Sequence, residues 1–192
     1  MSKITKFLKP KNSFSFFVSG DKYHNIYYRG DIDLVNVMTL TRIIQEQNEK
    51  YAKTKYEKIS KNPIKLHITS YGGDCEAGLM AYDLIKQSRF PIHTFCEGYS
   101  CSSATFLFLA GKKRFMLPHS KLLIHQLSYV CHGTYTNMTD QMYNNNLIMT
   151  DMKKIYLRET KLEEKTLDDL LRKDIYLTAE ECLKYGFVHK II

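Results

Sequence analysis

A chain of 192 residues suits one domain, long enough to bury about 70% of the surface that its unfolded form exposes. Hydrophobic residues make up 44% and charged residues 25%, a globular balance that excludes disordered and fibrous classes. The net charge of +8 is spread along the chain, with lysines beside acids such as Glu46 and Glu49. No zinc-finger spacing or RNA-binding aromatic motif accompanies it, so a solvated basic surface with no nucleic-acid partner is expected.

No apolar run approaches the roughly 20 residues of a bilayer span, so no membrane partner is expected either. Cysteines 75, 96, 101, 131 and 182 form no CxxC pair. That pattern favours a reducing compartment, the cytoplasm or an organelle such as a plastid. Residues 1–24 carry Lys3, Lys6, Lys9 and Lys11 without the apolar core of a secretory signal. They are expected to be a basic arm, followed by a single domain over 25–192.

Within that domain, residues 25–28 predict a short strand. Asp33 predicts the cap of a helix with an apolar stripe of Leu34, Val37, Met38 and Ile44, fading into the polar stretch 48–61. Strict alternation over 64–68 predicts a strand. Tyr71-Gly72-Gly73 then makes a turn before a helix around 77–85. A strand over 91–96 is expected to break at Gly98, with helix resuming over 102–110. Residues 113–116 and 121–126 predict two strands separated by Pro118.

The polar segment 137–158 places Met138, Met142, Met149, Met152 and Ile155 at helical spacing. Thr166 and Thr178 mark further helix starts. The second has the Thr-x-x-Glu capping box, and Gly186 stands where a C-terminal glycine belongs. Residues 188–192 close as a strand. Strands alternating with helices predict an α/β domain.

Chemistry concentrates in CEGYSCSSATFLFLAG (96–111). A serine is a nucleophile only with a base in reach, a group orienting that base, and N–H donors aimed at the oxyanion. A strand–turn–helix segment provides the exposed turn and the free N–H groups of a helix start. Capping is the expected role of Ser100 and Ser103. Gly72-Gly73 makes a tight turn, and its backbone can also approach a substrate closely. Among seven histidines, His24, His67, His93, His119, His132 and His189 read as structural or solvated. His125 ends the apolar run 122–124, so its ring leaves a buried strand where a site can lie. Metal-ligand spacings are missing, and no metal is expected.

GYSCSSATFL (98–107), Leu117-Pro118 ahead of LIHQ (123–126), and DIYLTAEE (174–181) with Tyr185-Gly186 resemble the nucleophile, histidine and aspartate blocks of the Clp protease proteolytic subunits, in that order. ITSYGG (68–73) resembles the family's Asn-Ser-Pro-Gly-Gly turn. The likeness spans about 26–192. It implies Ser102 as nucleophile, His125 as general base and Asp174 as the carboxylate that orients it. The backbone N–H groups of Gly73 and Ser103 would then form the oxyanion hole.

The resemblance also implies a crotonase-like spiral of ββα units with a projecting handle helix at about 128–160. It implies heptameric rings joined into a double ring, a tetradecamer, that cleaves unfolded polypeptides inside its chamber. An AAA+ unfoldase of the Clp family would feed the chamber and hydrolyse ATP. This chain has no P-loop pattern, and no cofactor is expected in it. Alternatives are a catalytically silent ring subunit and a crotonase-type acyl-CoA enzyme. The intact Ser-His-Asp set speaks against both.

Tyr71 and Leu127 stand where the family has prolines. Residues 128–134 lack its glycine-rich strand. The segments 1–24 and 48–61 differ from its axial loops and its usual connection.

Overall fold

Apolar alternation builds a seven-stranded sheet in the computed structural model, which describes residues 17–21, 23–52 and 62–192. Most of the arm expected at 1–24, and the far end of the stretch 48–61, lie outside these residues. The strands are β1 (Phe17–Gly20), β2 (Asn25–Arg29), β3 (Ile64–Ser70), β4 (Ile92–Cys101), β5 (Lys113–Met116), β6 (Lys121–Leu123) and β7 (Lys190–Ile191). They run β1-β2-β3-β4-β5-β7, with β6 paired to the far half of β4. Every pairing is parallel except β1 with β2.

Helices α1 (Leu34–Ala52), α2 (Cys75–Lys86), α3 (Ala104–Leu109), α4 (Tyr135–Glu159), α5 (Glu164–Leu171) and α6 (Ala179–Tyr185) make the connections. This is the α/β, crotonase-like arrangement that the resemblance implies.

The pattern of β3 shows why its register is fixed. Ile64, Leu66 and Ile68 are fully buried, while Lys65 and His67 point to the other face. A one-residue slip would exchange the two sets. That other face carries a stacked row, Tyr27, His67, Phe95 and Phe115, with ring centroids 4.8–4.9 Å apart. In α3 the run ATFLFL is buried all round, as expected of a helix without a polar face.

Several expectations are corrected. Strand β4 does not break at Gly98; it continues to Cys101. Gly98 takes φ 90° where the β3–β4 register shifts, so the glycine makes a bulge and the strand resumes. Phe17–Gly20, inside the segment expected to be the arm, forms an antiparallel strand with β2. In α1 the buried stripe is Val37, Leu40, Ile43, Ile44 and Tyr51, whereas Leu34 and Met38 are exposed. The methionine stripe of α4 divides: Met152 is buried with Ile155, while Met138 and Met142 are exposed. Helix α5 begins ahead of Thr166, with Glu163 at its N-cap. Strand β6 stops at Leu123, short of His125. The Thr178 capping box and the left-handed Gly186 stand as read.

One buried charge cluster ties the far ends of the fold together. The Arg114 guanidinium donates to the carbonyls of Phe187 (2.7 Å), Gly186 (3.1 Å) and Glu159 (2.7 Å), and pairs with the Glu159 carboxylate at 3.3 Å. Glu159 also accepts from the Tyr82 hydroxyl at 2.5 Å and pairs with Lys86 at 2.9 Å. Burial pushes the Glu159 carboxyl up. The Tyr82 hydroxyl and the Lys86 and Arg114 cations outweigh that effect and hold it below its usual value.

Because the folded value is depressed, this stabilisation is complete above the unfolded value near 4.5. It is lost as pH falls through the folded value. Glu159→Gln is expected to cost about 3 kcal/mol in urea unfolding at neutral pH, and to flatten the loss of stability below about pH 4.5.

Candidate active site

Where β4 ends, the chain turns sharply. Ser102 takes φ 54°, in the left-handed region, at an expected cost of about 1–3 kcal/mol. Its surroundings hold it there. The Ser102 N–H donates to the Leu123 carbonyl at 2.7 Å, and its own carbonyl accepts from Thr105 N–H at 2.9 Å. Gly72 packs so closely that a Cβ there would lie 2.6 Å from the Cys101 oxygen and 2.7 Å from the Ser102 Cβ. Gly78 of α2 would likewise place a Cβ 2.9 Å from that of Ser103. The glycines at these positions let turn and helix meet the elbow.

The backbone brings His125 to this point from just past β6. Its Nε2 lies 2.8 Å from Ser102 Oγ, and its Nδ1 lies 2.6 Å from the Gln126 carbonyl oxygen. A carbonyl only accepts, so Nδ1 carries the proton and Nε2 presents its lone pair to the serine hydroxyl. That is the tautomer a general base needs.

Asp174 is exposed, and no hydrogen bond or ion pair joins it to His125 among the described residues. It sits on the loop 172–176, whose ends are fastened to the histidine segment. Gln126 N–H donates to the Leu171 carbonyl at 2.8 Å, and Leu122 and Leu177 exchange bonds of 3.2 and 2.7 Å. The structure thus unites serine and histidine, and leaves the aspartate on a loop with no hydrogen bond or ion pair to either among the described residues.

Gly73 has φ 155°, and a Cβ there would meet the Ile32 oxygen at 2.2 Å. Ile32 N–H donates to the Gly72 carbonyl (2.9 Å), and Asp74 N–H donates to the Ile32 carbonyl (2.8 Å). The Gly73 N–H between them, and that of Ser103, have no acceptor among the described residues. Both are therefore available to an anion. Tyr71 stacks on Tyr99 at 3.8 Å and Ser70 Oγ accepts from Gly72 N–H at 3.1 Å, so the turn is braced without a proline.

The neighbouring serines are not side-chain caps. Ser100 Oγ donates to the Ala104 carbonyl at 3.1 Å, and Ser103 Oγ is buried without a partner. The two cysteines that line the site, Cys75 and Cys101, do not compete as nucleophiles. Burial, with Asp74 and Glu76 close by, pushes the Cys75 thiol up to about 12, and burial pushes Cys101 up to about 12. Both stay protonated near neutrality.

No group of three or more His, Cys, Asp or Glu among the described residues could hold a metal. A groove of about 1020 Å³ runs past Ser102 and His125 between Gly73, Phe106, Ile148 and Met152. Leu127 N–H, at the position of the second missing proline, donates to Met149 Sδ at 3.1 Å. Sequence reasoning missed Ile32, Thr105 and the Gln126 carbonyl. Each acts through the backbone or on it, and no residue pattern announces that.

Residues 35–192 match the profile of the family described as Clp protease. An ATP-dependent Clp protease proteolytic subunit of Deinococcus radiodurans is 34% identical over 139 residues, covering 69% of this chain and 68% of that protein.

Gly72→Ala displaces the elbow. It is expected to slow modification of Ser102 by a fluorophosphonate about 100-fold, followed as labelled protein against time.

Proposed function

From its membership of the Clp protease family, which makes this chain a serine-type peptidase, we propose that it hydrolyses peptide bonds through Ser102, His125 and Asp174. The observation that carries this assignment is the 2.8 Å bond between Ser102 Oγ and Nε2 of His125 at a strained elbow. His125 takes the hydroxyl proton as Ser102 attacks the scissile carbonyl. The oxyanion turns toward the N–H groups of Gly73 and Ser103. His125 then returns the proton to the leaving amine, and water releases the acyl group by the reverse sequence.

Asp174 joins by movement of the loop 172–176, replacing the Gln126 carbonyl at Nδ1 with a carboxylate that stabilises the imidazolium better than a neutral oxygen. No step requires a cofactor in this chain.

The reading extends to a heptameric double ring that degrades unfolded polypeptides fed by an AAA+ unfoldase of the Clp family, with ATP hydrolysed by that partner. Exposed apolar residues support self-assembly. Leu34, Val35 and Met38 stand out on α1, and Tyr135, Met138 and Met142 on the outer half of α4. Such patches mark association surfaces on soluble proteins. The division proposed is a basic arm over 1–24 followed by a peptidase domain over 25–192, with Phe17–Gly20 of the arm segment paired to β2.

Ser102→Ala is expected to keep the native mass of the assembly while peptidase activity on short peptides falls by several orders of magnitude. Absence of fluorophosphonate labelling at Ser102 in every assembly state would overturn the assignment. Asp174→Asn is expected to lower kcat about 10³- to 10⁴-fold. A loss under about tenfold would leave the Gln126 carbonyl as the orienting group.

A further inference from the structure

Thr105 and Tyr156 lie outside the proposed catalytic set, yet a buried hydrogen-bonded chain joins them to it. Thr105 Oγ1 is 2.6 Å from the Ser102 carbonyl oxygen and 2.7 Å from the Tyr156 hydroxyl. A threonine has one hydroxyl hydrogen and a carbonyl only accepts, so that hydrogen goes to Ser102. Tyr156 must then donate to Thr105. The order is Tyr156 O–H to Thr105 O–H to Ser102 C=O. Both side chains are fully buried, and burial keeps the Tyr156 phenol well above its usual value, hence protonated. With Thr105 N–H at 2.9 Å, the Ser102 oxygen accepts two bonds from one residue.

The consequence falls on the other end of the same peptide unit. The peptide is trans, so its C=O and N–H point in opposite directions. Anchoring the Ser102 oxygen on the buried side turns the Ser103 N–H toward the Gly72 turn, where Ser103 N would lie 3.2 Å from a Cβ on Gly72. We propose that Thr105 and Tyr156 are positioning residues that aim the oxyanion donor of Ser103. Tyr156 belongs to α4, so the base of that helix and the oxyanion hole share one hydrogen-bonded chain. The proposal rests on Ser102 being the nucleophile. A preorganised donor contributes to the transition state and little to ground-state binding, which separates this role from simple packing.

The test uses the full chain in its assembled form and compares Thr105→Val, Tyr156→Phe, the double variant and Thr105→Ser. Readouts are kcat and KM on a fluorogenic peptide, inhibition by a peptide boronate whose tetrahedral adduct places an oxygen in the hole, and the melting temperature. Thr105→Val should lower kcat about 30-fold with KM within about twofold, and boronate affinity should fall in parallel. Tyr156→Phe should lower kcat about three- to tenfold. The double variant should be no worse than Thr105→Val, since both act along one route. Thr105→Ser, which keeps the hydroxyl, should stay within about threefold of the parent.

Native-melting variants with parental kcat overturn the proposal, as does a rise in KM with boronate affinity intact. If Thr105→Val does not fold, Tyr156→Phe decides alone, because it removes a single buried oxygen. A parent protein that neither cleaves the peptide nor labels at Ser102 overturns the nucleophile assignment itself. An active, labelled parent with unaffected variants overturns only the positioning role.

Discussion

The left-handed backbone of Ser102 is the constraint around which the rest of the domain is arranged. A residue with a side chain avoids that conformation, and four separate elements keep it there. Strand β6 supplies the carbonyl that receives its N–H, the glycine turn after β3 leaves room beside it, Gly78 lets α2 approach, and Thr105 holds its carbonyl. The bulge at Gly98 belongs to the same arrangement. It lets the first half of β4 pair with β5 and the second half with β6, so the strand delivers the serine next to the segment that carries His125. Sheet topology and the geometry of the serine–histidine pair are one solution.

The three side chains proposed to carry the reaction are held to different degrees. Serine and histidine are joined through backbone fixed on both sides. Asp174 rides on a loop tied to the histidine segment at Leu171 and Leu177, with the N–H groups of Arg172 and Lys173 donating back into α5. The neutral Gln126 carbonyl keeps the correct tautomer of the histidine without the carboxylate. A carboxylate adds charge stabilisation once the imidazolium forms, and so acts on the transition state more than on the resting enzyme.

How far sequence reasoning reached follows from range. Strands β2, β3 and β5, helix α2 and the Thr178 capping box depend on alternation and short-range caps, and they were legible. Ser102, His125, Asp174, Gly73 and Ser103 came from ordered blocks resembling a known family. Pattern alone left the choice among the serines open. What failed depended on tertiary context. Gly98 looked like a terminator because a bulge needs its partner strand to be seen. Leu34 and Met38 fit a helical stripe but fall on the side of α1 that no described element covers. Ser103 has the composition of a cap and the position of one, but its hydroxyl faces a packed helix. Thr105 gave no signal, since its role is to hold an oxygen whose direction only the fold defines.

The buried Arg114 cluster bears on how the domain is made. The Phe187 carbonyl that the guanidinium requires lies 73 positions further along the chain. Synthesis at about 5–20 residues per second separates the two by several seconds. Over that interval the guanidinium lacks its Phe187 and Gly186 acceptors, and the end of α4 has only Tyr82, Lys86 and Arg114 to close against. This part of the domain consolidates only after the segment around Gly186 has left the ribosome.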